Sequence, residues 1–196
     1  NSFVESEDGI NVIYFINEGA STVISEVRFE GNVVVSDKTL KGKISSKEVG
    51  FLKDGAFQKT AIEADKQAII NYYMTRGYID ARIVDVLQDS YFNAEKERTE
   101  VIITFIIQEG AQYTFNGLTI TGNEIFTTEK LESFMKLKKG AVFNQAKFQE
   151  GISGITNLYY ENGYMDNQFY PTVNKNPERK TIAYELAIQE RSRSHI

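Results

Sequence analysis

Val27-Arg28-Phe29-Glu30-Gly31-Asn32 returns 91 residues later as Leu118-Thr119-Ile120-Thr121-Gly122-Asn123, and this recurrence decides the fold. The same offset carries Ser36 onto Thr127, Leu40 onto Leu131 and Ile44 onto Met135. Further on, Gly77-Tyr78-Ile79-Asp80 returns as Gly163-Tyr164-Met165-Asp166 at an offset of 86, which also carries Phe57, Ile62, Ile69 and Tyr73 onto Phe143, Phe148, Ile155 and Tyr159. The fall from 91 to 86 puts five extra residues between the two helices of the first copy. Glu109-Gly110 closes one copy, Glu190 another, and Glu18-Gly19 the end of a third. A repeat of this length is one folding unit per copy. The expected division is 1–18 as the trailing hairpin of a truncated preceding module, 19–110 and 111–190 as complete modules, and 191–196 as a tail, native or a cloning remnant.

Each copy reads by period. In the opening strand Val27 and Phe29 face one way and Arg28 and Glu30 the other, as in a half-buried strand. Gly-Asn breaks it. Ser36 and Thr127 stand where helix N-caps belong, followed by Asp37 and Glu129, and Leu40/Ile44 and Leu131/Met135 give a short first helix its i, i+4 pair. Phe148, Ile152, Ile155 and Tyr159 form one continuous face of a second helix, as do Ile62, Ile69 and Tyr73, with Lys66 interrupting. Gly77 and Gly163 end these helices. Ala81 to Asp89 alternates as an edge strand does, whereas Val101 to Ile107 is solidly apolar, as a central strand is. The fold class is therefore α+β: tandem β-α-α-β-β modules, each two helices on a three-stranded mixed sheet.

Composition removes most chemistry. The 196 residues carry a net charge of −5, against a nucleic-acid partner, which would need a basic surface. There is no cysteine, and the one histidine, His195, lies in the tail, so no Cys or Ser-His nucleophile set and no transition-metal site is expected. Gly151-Ile152-Ser153-Gly154 matches the Gly-x-x-Gly of KH RNA-binding domains, but it lies inside the apolar face of the second helix and carries no base. Asp80 and Asp166 recur after Gly-Tyr and read as turn structure, and Glu5-Ser6-Glu7-Asp8-Gly9 as a hairpin turn. No apolar stretch is long enough for a membrane helix, and no cofactor is expected.

The element order, the Gly-Asn after the first strand, the Gly-x-x-Phe or Gly-x-Phe before the second helix, the Tyr and Gly-Tyr at its end and the closing Glu-Gly together resemble POTRA domains. The junction Glu109-Gly110-Ala111-Gln112-Tyr113-Thr114-Phe115-Asn116-Gly117-Leu118 is similar to that between the third and fourth modules of BamA-type outer-membrane protein assembly factors. The resemblance implies a periplasmic, non-enzymatic array ahead of a C-terminal β-barrel, attached to the membrane only through that barrel. It implies binding of unfolded outer-membrane protein precursors and of periplasmic accessory lipoproteins. Two-partner secretion and translocation-assembly transporters share the module, and a role as structural spacer between barrel and accessory proteins stays open. The edge to which the resemblance assigns strand addition is Ala81, Arg82, Ile83, Val84, Asp85, Val86 and Leu87, and Glu109, Gly110, Ala111, Gln112 and Tyr113 form a restricted interdomain hinge. The physics is general: an edge strand presents a fixed row of unpaired N–H and C=O groups to any extended peptide.

Overall fold

The computed structural model describes residues 2–6, 9–13, 21–50 and 55–193. A short antiparallel hairpin, β1 (Ser2–Ser6) and β2 (Gly9–Ile13), opens the chain. Glu7, Asp8, Glu18, Gly19 and His195 lie outside the described residues.

The first module is β3 (Thr22–Glu30), α1 (Asp37–Lys41), α2 (Lys59–Met74), β4 (Arg82–Asn93) and β5 (Arg98–Gln108). The second repeats it as β6 (Thr114–Thr121), α3 (Thr128–Glu132), α4 (Gln145–Glu161), β7 (Gln168–Asn176) and β8 (Thr181–Gln189). In both the last strand is central: the orders are β3-β5-β4 and β6-β8-β7. The first strand of each pairs parallel with the central one, and the middle strand antiparallel, so both sheets are mixed.

Local sequence explains the punctuation. The Ser36 and Thr127 hydroxyls accept from the Thr39 and Lys130 amides and cap α1 and α3. These helices are shorter than the i, i+4 reading implied, so Ile44 and Met135 follow them as packed loop residues. The Tyr78 and Tyr164 amides reach back to the Tyr73 and Tyr159 carbonyls, closing α2 and α4 over their glycines. Asn32 and Asn123 each donate a side-chain N–H to the carbonyl of Val35 and Phe126, fixing the turn after the first strand.

Val27, Phe29, Ile62, Ile69, Tyr73, Ile103 and Phe105 are all buried in the first core. The second core is more aromatic, with Phe115, Phe143 and Phe148 in mutual contact. Burial of each such side chain contributes ~1.5–3 kcal/mol. Two positions depart from a purely apolar helix face. Asp65 is buried on α2, and its carboxylate accepts from the Ser45 amide and hydroxyl and the Ser46 amide (2.6, 2.7 and 3.0 Å), pinning the loop after α1. Its counterpart Gly151 has Met135 packed against it, where a Cβ would come within 2.5 Å of the sulfur. The glycines of the KH-like match are thus packing positions: Gly151 meets Met135 and Gly154 meets Phe134.

Candidate functional site

The strand expected to be an exposed edge is one: β4 pairs with β5 alone in its sheet. Arg82 to Leu87 lie on it, while Ala81 falls just ahead of the strand and is buried. The register shifts between Ile83 and Asp85, so Val84 is the extra residue of a bulge. Side-chain alternation alone could not announce that shift, because it arises from pairing with β5. Val84 and Leu87 are exposed, Ile83 and Val86 half-buried. Ile83 and Val86 form one wall and Ile62, Glu63 and Lys66 of α2 the other of a shallow groove of about 260 Å³. Two charged side chains along the edge are already engaged: Arg82 donates to Gln108 (2.8 Å), and Asp85 accepts from the Val86 amide (2.8 Å).

The equivalent strand β7 is also an edge, and Tyr170 and Val173 on it are exposed. It carries Pro171, which has no N–H to offer. The two homologous edges are therefore unequal in backbone chemistry.

The hinge residues form a filled junction. Gly110 packs against Asp80, where a Cβ would stand 3.0 Å from that side chain. Gln112 donates to the Arg76 carbonyl (2.9 Å), the Tyr113 amide to the Gly77 carbonyl (2.8 Å), and the buried Tyr113 hydroxyl to Asp80 (3.1 Å). Lys175 of β7 adds an ion pair to Asp80 (2.7 Å) and lies over the Tyr113 ring. Ile79 of the first module and Ala111 pack on the core of the second. Asp80 is thus an intermodule ligand instead of the turn residue its repetition suggested.

Lys175 holds the Asp80 carboxyl below its ordinary value of 3.8, against the opposing effect of burial, and the Tyr113 hydroxyl adds a lesser lowering. Asp80 raises the Lys175 ammonium. A lowered carboxylate contributes its stabilisation above the ordinary value and loses it as pH falls through the lowered one. Acidification from pH 5 to pH 3 should therefore loosen the junction, read as reduced agreement of residual dipolar couplings from both modules with one orientation. In Lys175→Met that pH dependence should be largely absent. An unchanged pH response would mean Asp80 does not couple the modules. The pair is exposed, so the effect is modest, up to ~1 kcal/mol.

The closing glutamates carry a role that no local pattern indicates. Glu109 accepts from the Tyr73 hydroxyl (2.7 Å) and the Val34 amide (3.0 and 3.1 Å). Glu190 does the same for Tyr159 (2.7 Å) and the Ile125 amide (3.1 Å). Their recurrence at the end of each copy was the one available signal. Among the described residues no group of three or more acidic or histidine side chains is placed to hold a metal ion.

A family model described as "POTRA: Surface antigen variable number repeat" matches residues 22–110 and 113–191. A putative outer membrane protein assembly factor of Treponema pallidum is 38% identical over 188 residues, covering 96% of this chain and 22% of that protein. The outer membrane protein assembly factor BamA of Neisseria meningitidis is 27% identical over 186 residues, covering 92% and 23%. The chain thus spans about a fifth of the length of these curated relatives. Among solved structures, POTRA3-5 of Haemophilus influenzae BamA superposes with a TM-score of 0.67 at 25% identity, covering 92% of this chain and 71% of that one.

Proposed function

This chain belongs to the POTRA family, and from that membership we propose that it is the protein-binding part of an outer-membrane β-barrel assembly machine, receiving unfolded outer-membrane proteins by strand addition on β4. POTRA modules of assembly factors are periplasmic parts of outer-membrane proteins. The same reading includes docking of accessory lipoproteins and covalent continuity with a C-terminal barrel. The work is binding, without catalysis or cofactor.

One observation carries the proposal: the free outer edge of β4, beside an α2 groove, has no proline, while its counterpart β7 has Pro171. Main-chain hydrogen bonds to such an edge are indifferent to client sequence, and the half-buried Ile83 and Val86 add a preference for alternating apolar residues. That alternation is the pattern of a barrel strand. The bulge at Val84 interrupts the ladder and keeps binding weak enough for release.

Titration of the ¹⁵N-labelled chain with a peptide copying one barrel strand tests this. Amide shifts should concentrate on Arg82 to Leu87, with β7 amides unmoved. Val84→Lys with Leu87→Lys, both at exposed positions, should weaken binding ~10-fold or more, since edge lysines oppose strand pairing. Shifts that spare β4, or that survive the double lysine variant, would refute strand addition there.

The filled junction favours a second, compatible reading, a spacer that fixes the angle between modules. Tyr113, Ile79 and the Asp80–Lys175 pair support it, because so short and so occupied a connection permits few orientations.

A further inference from the structure

The first module covers the outer edge of β3 with its own chain. The Val49 amide donates to the Ile24 carbonyl (2.8 Å), and the Ile24 amide to the Gly55 carbonyl (2.7 Å). Glu48, one residue before Val49, accepts from the Val27 amide (2.9 Å) and from the Lys41 ammonium (2.7 Å). A side-chain carboxylate thus seals the next open donor of the edge.

The second module keeps the backbone part of this cover. The Gly140 amide donates to the Phe115 carbonyl (2.7 Å), and the Phe115 amide to the Ala141 carbonyl (2.8 Å). These bonds set the register between copies: Gly140 stands for Val49, Lys139 for Glu48, Glu132 for Lys41 and Leu118 for Val27. The two charges have exchanged places. A lysine cannot accept a hydrogen bond, so Lys139 cannot do for Leu118 what Glu48 does for Val27. Among the described residues no side chain accepts from the Leu118 amide, and Lys139 and Glu132 form no ion pair. A groove of about 550 Å³ opens at this place, floored by Phe115, Leu118, Met135 and Leu137, with Lys139 and Glu132 on its rim. Of the nearby lysines, Lys136 is already bound by Glu150, whereas Lys138 and Lys139 are exposed. Two residues lining this groove thus offer donors, the Leu118 amide and the Lys139 ammonium.

We propose that this groove takes a short extended peptide bearing a carboxylate side chain, which accepts from the Leu118 amide and the Lys139 ammonium as Glu48 accepts from Val27 and Lys41. The first module shows the fitting chemistry in its own Ser46-Lys47-Glu48-Val49 segment: an acid at the donors, an apolar residue after it, and a base before it suited to Glu132. The surface lies on the opposite edge of the sheet from the one equivalent to β4, and in the other module, so it stands apart from the client-binding edge.

The probe is the blocked pentapeptide copying Ser46–Gly50, titrated to millimolar concentration into the ¹⁵N-labelled whole chain. The Leu118 and Thr119 amides should shift and saturate. The Glu→Gln peptide, and separately the Lys139→Glu chain, should bind ~10-fold or more weakly, as loss of a charge-assisted hydrogen bond requires. Lys139 is exposed, and unmoved amide shifts on β7 and α4 of the second module, away from the groove, will report that the variant is folded. Three results overturn the proposal: no saturating shift on Leu118, equal binding of the Gln peptide, or the same saturating shift from acetate alone, which would make the groove a small-anion site.

Discussion

Gly31→Ala should unfold the first module at several molar less urea than the parent, and Gly122→Ala should do the same to the second. At Gly31 φ is +82°, where a side chain costs ~1–2 kcal/mol, and a Cβ would stand 2.1 Å from the Ile107 carbonyl oxygen. That oxygen belongs to β5, the central strand, so it cannot yield without disturbing the β3–β5 pairing at Phe29 and Glu30. Overpacking against a fixed neighbour costs a further ~1–3 kcal/mol. Gly122 repeats the geometry, with φ +75° and the Ile188 carbonyl oxygen at 2.2 Å. Gly140 separates the two effects: φ is +85° but nothing lies within 4 Å of its Cβ position, so Gly140→Ala carries the backbone cost alone. Unfolding followed by resolved amide signals from each module reads the three variants. If Gly31→Ala costs no more than Gly140→Ala, the close approach of β5 is not what demands glycine.

The same glycines mark what could be read without a structure. The alternation around Val27 and Phe29, the caps at Ser36 and Thr127 and the stops at Gly77 and Gly163 are local, each decided by a few neighbours in sequence, and repetition doubled every signal. The central place of β5 was legible because a strand with a neighbour on each side has little polar face to show. What escaped depends on distant partners. The apolar face of α2 gave no reason to bury Asp65, whose partners Ser45 and Ser46 lie about 20 residues away. The bulge at Val84 belongs to the pairing of β4 with β5, not to β4. Asp80 looked like turn chemistry because it recurs beside Gly-Tyr, yet its partner Lys175 is 95 residues distant. The charge exchange between Lys41/Glu48 and Glu132/Lys139 becomes visible only when backbone bonds set the register across a length difference.

Glu109→Ala should cost the first module ~1–3 kcal/mol, because the buried Tyr73 hydroxyl would lose its acceptor and the half-buried bond from the Val34 amide would go with it. Tyr73 is fully buried, and burial, then Glu109, raises its hydroxyl well above the ordinary tyrosine value, so it stays a protonated donor at any ordinary pH. Glu109→Gln keeps one acceptor oxygen and should cost about half as much. Tyr73→Phe removes one donor, so combining it with Glu109→Ala should give less than the sum of the separate losses, by ~1 kcal/mol or more. Strict additivity would mean that Tyr73 and Glu109 merely lie close. Beyond stability, Glu109 immediately precedes Gly110, which packs on Asp80, and Asp80 binds Tyr113 and Lys175 of the second module. The carboxylate therefore holds together the end of α2, the loop after β3 and the start of the junction. In Glu109→Ala the Tyr113 amide should shift and exchange faster even where both modules remain folded, linking a buried acceptor in one core to the angle at which the next module is held.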